Sequence, residues 1–156
     1  MAIRAITFDF WMTLFEEFNR AERHQVRVEA FCAATGADKM AVDTALQVAH
    51  DAFFRIHAEE KRTLAPGDAV TMVCAALDLQ IDPETHSDLT TVFGTAILEH
   101  PPVPIANALE AVRAAAELVP IGLISDSGMS PGSSLRRLLD RHGFTPHFGV
   151  LSFSDE

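Results

Sequence analysis

The run Arg4-Ala-Ile-Thr-Phe-Asp-Phe-Trp-Met-Thr-Leu14 constrains the fold more than any other stretch of this chain. Ile3 to Phe10 is rich in β-branched and aromatic residues, which predicts a buried strand. Asp9 then sits where that strand gives way to a loop, and Thr13-Leu14 follow closely. The carboxyl ends of strands are where α/β sheets bind ligands, and a carboxylate there can act as a nucleophile or a metal ligand. A second apolar run, Val119 to Ile124, delivers Ser125-Asp126-Ser127-Gly128 to its own carboxyl end. A hydroxyl, free backbone N–H groups and a following helix N-terminus suit a phosphate or another oxyanion. The same residues also serve as ordinary turn and cap residues, so spacing alone leaves both readings open.

Between these runs the periodicity is helical. Asn19 to Thr35 carries apolar positions at Ala21, Val28, Phe31 and Cys32 and stops at Gly36. Asp38 caps a helix with a stripe of Val42, Ala45, Leu46, Ala49, Phe53 and Ile56. Leu64 to Asp68 reads as a turn, continued by a short helix through Val70, Val73 and Leu77. Asp82-Pro83 supplies an N-cap and a first-turn proline for Leu89, Val92, Phe93, Ala96 and Ile97. Pro101 to Pro104 is a stiff linker. Asn107 to Leu118 predicts a helix, Ser130-Pro131 opens another that stops at Gly143, and Phe148 to Phe153 is a third strand. The expected fold class is therefore α/β: a partial Rossmann-like parallel sheet of about three strands with an inserted helical bundle. Residues 1–14 plus 101–156 would form the core and residues 15–100 the insertion.

Composition narrows the function. The chain has 156 residues, 48% of them hydrophobic, enough to bury a core. With 22 acidic against 12 basic residues and a net charge of −10, nucleic acid is not an expected partner. No apolar stretch reaches membrane-spanning length, and no charged-then-apolar leader pattern opens the chain. Cys32 and Cys74 are isolated and read as buried thiols of a cytoplasmic protein. Arg4, Arg20, Arg23 and Arg27 could reach toward a pocket mouth, but a solvated helix face is the favoured expectation. His50 and His57, seven apart, do not have the spacing of a helical zinc pair; His142 suits a helix C-terminus.

The ordered combination of Asp9, Thr13-Leu14, the helical insertion and Leu123-Ile-Ser125 resembles the haloacid dehalogenase-like (HAD) hydrolases with a C1 helical cap. The segment Ser125 to Gly132, with Leu135 to Gly143, is similar to the stretch after that family's second motif. The resemblance implies Asp9 as nucleophile and Mg²⁺ ligand, the Trp11 backbone carbonyl as a second ligand, and Ser125 holding the transferring phosphoryl group. Trp11, Thr13, Asp126, Ser127 and Gly128 would contact the substrate, a small-molecule phosphate ester. Trp11 stands where phosphatases of the family carry a second, acid/base Asp. The family's third-motif Lys and fourth-motif acidic residues would lie beyond Glu156, so the chain resembles the front two thirds of such a hydrolase. Family topology then leaves strand one at an edge, and a homodimer covering it is expected. Three functions stand side by side: a Mg²⁺-dependent phosphoric-ester hydrolase, a metal-independent 2-haloacid dehalogenase-like hydrolase using the same Asp9, and a non-catalytic HAD-derived interaction module. The Ser125 cradle favours the first.

Overall fold

The computed structural model describes residues 3–156, so residues 1 and 2 of the expected core lie outside the described residues. In chain order its elements are β1 (Ile6–Phe8), β2 (Phe15–Glu16), α1 (Arg20–Thr35), α2 (Lys39–Glu60), α3 (Pro66–Ala76), α4 (Pro83–Glu99), β3 (Val103–Pro104), α5 (Ala108–Leu118), β4 (Ile121–Ser125), α6 (Gly132–Arg141) and β5 (Val150–Phe153). A turn of 3₁₀ helix, Thr145–His147, precedes β5.

Among the described residues the main sheet has the order β1-β4-β5, every pair parallel. Ile6 pairs with Ile121 and Leu123 with Leu151, which sorts the side chains by alternation. Ile6, Phe8, Ile121, Leu123, Leu151 and Phe153 point to one face. There they meet Val112 of α5 and Leu135, Leu138 and Leu139 of α6 in one cluster. The opposite face carries Thr7, Ile124, Val150 and Ser152, with Ile124 61% and Val150 60% exposed. The expectation that Ile3 to Phe10 is one buried strand is thus corrected. β1 is three residues long, half-buried, and at the edge of the sheet. The reason is topological: α5 and α6 connect neighbouring parallel strands, and same-handed crossovers place both on one face.

The helices α1 to α4 surround a second cluster of Val28, Phe31, Val42, Leu46, Val70, Val73, Leu89 and Phe93. Their starts follow local chemistry. Asp38 accepts from the Ala41 N–H at 3.0 Å and Asp82 from the Thr85 N–H at 2.9 Å, each such cap contributing about 1 kcal/mol. Leu64 to Asp68 is not wholly a turn, because Pro66 already opens α3 and Asp68 reaches back to the Ala65 N–H at 2.7 Å. α4 belongs to both clusters, with Phe93 in one and Ile97 in the other. Gly94 lies between them where an added Cβ would come within 3.3 Å of both Pro131 and Pro66. The Ser134 hydroxyl donates to the Gly94 carbonyl at 2.8 Å.

Two further departures matter for the site. The proline-rich linker pairs its Val103–Pro104 with Phe15–Glu16 in an antiparallel two-residue ribbon, so the exit from β1 and the return to the sheet run side by side. Helix α6 does not take its cap from Ser130. Pro131 is the N-cap residue, and the Asp155 carboxylate accepts from the Gly132 N–H at 3.0 Å. No described helix is long and apolar enough to cross a membrane.

Candidate active site

Asp9 follows directly after β1 and Ser125 ends β4, so the parallel pairing of these neighbours sets the two side chains together. The Ser125 hydroxyl donates to Asp9 Oδ1. The Phe10 N–H donates to the same carboxylate oxygen at 2.6 Å and lies 3.3 Å from Ser125 Oγ. Ser125 is buried while Asp9 is exposed: the carboxylate is oriented from behind and open in front.

The chain then reverses sharply. Leu14 and Phe15 both donate backbone N–H groups to the Phe10 carbonyl, at 3.1 and 3.0 Å, and Met12 donates to the Phe15 carbonyl at 2.8 Å. Met12 pays with φ 55, a left-handed conformation uncommon for a side chain of its size. What holds the turn is apolar: Phe10 and Phe15 are both fully buried and stacked, with ring centroids 4.4 Å apart. Trp11 packs edge-on against Phe10 at 4.9 Å. No described N–H in this turn donates to the Trp11 carbonyl. Thr13 is exposed in the turn and lines neither of the cavities described below.

On the β4 side, Ser127 donates its N–H to Ser154 Oγ at 3.0 Å. Asp126 pairs with His57 of α2 at 3.0 Å. Gly128 has φ +119 and is buried, so its backbone favours glycine; a Cβ there would touch the Phe53 ring of α2 at 3.4 Å.

Two open cavities meet at Asp9. The smaller, about 270 Å³, is lined by Asp9, Ser125, Asp126, Ser152 and Ser154 among others. The larger, about 920 Å³, runs from Asp9, Trp11, Asp126 and Ser127 to α1 and α2, where Arg20, Arg23, Arg27 and His50 contribute. The solvated-face reading is therefore corrected for Arg23 and Arg27, while Arg20 is exposed. Arg23 is 3% and Arg27 7% exposed; α1 turns these polar positions toward α4 and the segments at His100 and Met129 rather than to water. Arg27 donates to the Phe93 carbonyl at 3.1 Å and the Met129 carbonyl at 3.3 Å. Burial, then the neighbouring Arg23, lowers its guanidinium to about 10. Burial also lowers Arg23, offset by Glu17. Burial, then Arg20, lowers His50 below the usual imidazole value. Sequence reading missed Ser154, although it follows the third apolar run just as Ser125 ends the second.

The donor set fits a magnesium ion only as one shared with a ligand. Among the described residues, no group of three or more His, Cys, Asp or Glu side chains is placed to hold a metal. His50 and His57 are turned to Arg20 and Asp126. Asp9 and Trp11, whose carbonyl accepts no hydrogen bond among the described residues, offer hard oxygens beside the larger cavity. Mg²⁺ commonly takes one or two carboxylates together with waters and substrate phosphate.

No protein-family model matches the chain, and no curated protein matches it either. Solved structures do. A HAD-type protein of Bacillus subtilis, YfnB, solved with magnesium, is 14% identical, with 97% of this chain and 64% of that one covered at TM-score 0.60. A Thermotoga maritima protein assigned as a β-phosphoglucomutase is 14% identical, with 98% and 62% covered at 0.58. L-2-haloacid dehalogenase of Xanthobacter autotrophicus is 16% identical, with 99% and 58% covered at 0.50. The chain thus spans 58 to 64% of these relatives' length. At such identities the likeness speaks for the backbone: this chain has the fold of the HAD-like hydrolases over somewhat less than two thirds of their extent.

Proposed function

We propose that the chain is a phosphoric-ester hydrolase that uses Asp9 as nucleophile on a small-molecule phosphate ester. The observation that carries this reading is the Asp9–Ser125 pair, an exposed carboxylate held by a buried hydroxyl beside a small cavity that Ser152 and Ser154 also line. In this reading Asp9 attacks phosphorus, the P–O bond to the alcohol breaks, and water then cleaves the resulting aspartyl phosphate. The Ser125 hydroxyl holds a phosphoryl oxygen, with Ser127 at the edge of the larger cavity. Asp9 and the Trp11 carbonyl would hold Mg²⁺, which supplies charge neutralisation between carboxylate and phosphate. Trp11 has no proton to give a leaving alkoxide, so esters of acidic alcohols and phenols are the favoured substrates. Residues 15–100 act as the cap over a core of residues 1–14 plus 101–156. The two free thiols suit a reducing, cytoplasmic setting.

Trp11 also supports a second reading. An aromatic residue at the pocket and the fold shared with a haloacid dehalogenase fit displacement of halide from carbon by Asp9, without metal. We further infer a homodimer covering the β1 edge and the open sheet face bearing Ile124 and Val150; a monodisperse monomer by light scattering at micromolar concentration would contradict it. The test of function is hydrolysis of p-nitrophenyl phosphate with and without Mg²⁺, beside 2-chloropropionate with EDTA. Metal-dependent phosphate release absent in Asp9→Asn supports the phosphatase reading. EDTA-resistant halide release supports the second, and turnover unchanged in Asp9→Asn removes Asp9 from either.

A further inference from the structure

The two halves of the proposed reaction make different demands. Expelling an aryl oxide needs little protonation, so Trp11 does not obstruct the first half. In the second half water must lose a proton as its oxygen attacks the aspartyl phosphate, and an indole accepts none. The base has to come from elsewhere. The side chains around Asp9 narrow the choice. Glu17 is paired with Arg23, and Asp43 with His24 at 2.9 Å. His50 Nε2 is bonded to Arg20. Asp155 caps α6, accepting from the Gly132 N–H at 3.0 and 3.1 Å. Asp126 differs from all of these. It lines both cavities, as Asp9 does, and no other described carboxylate or imidazole joins Asp9 in the smaller one. The two aspartates meet the same hydroxyl: Ser125 Oγ donates to Asp9 Oδ1 and lies 3.3 Å from the Asp126 carbonyl.

Asp126 is also held from the opposite side. His57 of α2 places its Nε2 3.0 Å from Asp126 Oδ2. The pair joins the helical insertion to the loop after β4, so the carboxylate keeps this partner only while α2 lies against the core. Both side chains remain open to solvent. A proton taken up at Asp126 therefore has a way out through an imidazole, the side chain suited to passing protons on in neutral solution.

Resting on the phosphate reading of Asp9 and Ser125, we propose that Asp126 is the general base of the second half, with His57 as its positioning residue. Water gives a proton to the Asp126 carboxylate as its oxygen bonds to phosphorus. The P–O bond to Asp9 breaks, which frees the Asp9 carboxylate and inorganic phosphate. The proton then leaves by way of His57 to solvent. Helix α2 thereby contributes to the hydrolysis of the adduct, and the exchange of an acidic residue for Trp11 is compensated from another strand end.

The test measures adduct and turnover together, with p-nitrophenyl phosphate and Mg²⁺. Acid quenching at steady state gives the amount of phosphorylated protein, and phosphate release divided by that amount is the rate constant of the second half alone. Nitrophenolate release divided by the unmodified protein, at one fixed substrate concentration, reports the first half. Asp126→Asn is expected to lower the second constant about hundredfold and to retain the first. Asp126→Glu restores part of the loss, and His57→Gln lowers the same constant by less than Asp126→Asn does. Circular dichroism controls for folding, which side chains open to solvent should not disturb. An unchanged second constant in Asp126→Asn would overturn the inference and leave the phosphate site standing. Loss of the first constant instead would make Asp126 a binding group and overturn the inference too. An unchanged second constant in His57→Gln would overturn the part given to α2. Absence of any adduct on Asp9 in the unaltered chain would remove the phosphate reading and this inference together.

Discussion

Arg27 offers the sharpest physical test of how the helical unit is fastened to the site. It is 7% exposed, and its two interactions are with carbonyls of different segments, Phe93 in α4 and Met129 in the loop after β4. The lowering of its guanidinium to about 10 corresponds to about 3 kcal/mol of disfavoured charge in the folded state. Against this stand two hydrogen bonds from a charged donor, about 1.5–3 kcal/mol each. The opposing contributions nearly cancel. Arg27→Met keeps most of the stem's apolar contact and removes both, so urea denaturation should find stability changed by less than about 2 kcal/mol. Arg27→Ala also empties the space beneath and should cost about 2–4 kcal/mol. The local consequence differs from the global one: hydrogen exchange in Arg27→Met should accelerate around residues 126–131, with the Val42–Val73 cluster unchanged. A loss above about 4 kcal/mol in Arg27→Met, or acceleration spread evenly over the chain, would refute this balance.

Other expectations follow from the same geometry. Ser125→Ala removes the donor to Asp9 Oδ1 but leaves the Phe10 N–H bonded to it; stability should fall by about 1 kcal/mol, and aryl phosphate turnover by about a hundredfold. Gly128→Ala places a side chain at φ +119 and should destabilise the fold by about 1–3 kcal/mol, visible as a lower urea midpoint. His50 and His142 are both held below their ordinary value, mainly by burial. The unfolded chain therefore takes up their protons first, so stability is complete above about pH 6.5 and falls as pH drops below it. Urea midpoints measured from about pH 7.5 to 5 should show this slope, and His50→Gln should flatten it.

Much of this arrangement is legible in the sequence because its causes are local. Asp38, Asp82 and Pro83 act within one turn of the helices they start, and the Asp9 and Ser125 strand ends come together through a parallel pairing that apolar runs announce. What escaped reading has causes distant in sequence. Helix α6 is capped by Asp155, which lies beyond the next strand, so Ser130 beside Pro131 gave a plausible but wrong cap. The β2–β3 ribbon is two residues per strand, too short for alternation to register. For the α1 arginines, helical periodicity finds the apolar stripe but does not say whether the polar stripe meets water or another element. Here α1 is contacted on both sides, and Arg23 and Arg27 satisfy carbonyls of neighbouring segments. Alternation likewise identifies strands without revealing that one face of the sheet stays open.

The central proposal is that Asp9 is the nucleophile that accepts the phosphoryl group, and it is tested most directly by trapping. Purified protein is mixed with an aryl phosphate and Mg²⁺, quenched in acid within the first turnover, digested, and analysed by mass spectrometry. The account predicts a hydroxylamine-labile phosphoryl adduct on the peptide containing Asp9, absent from Asp9→Asn. Phosphate release that proceeds with no adduct on Asp9, or with an adduct on another residue, would contradict it.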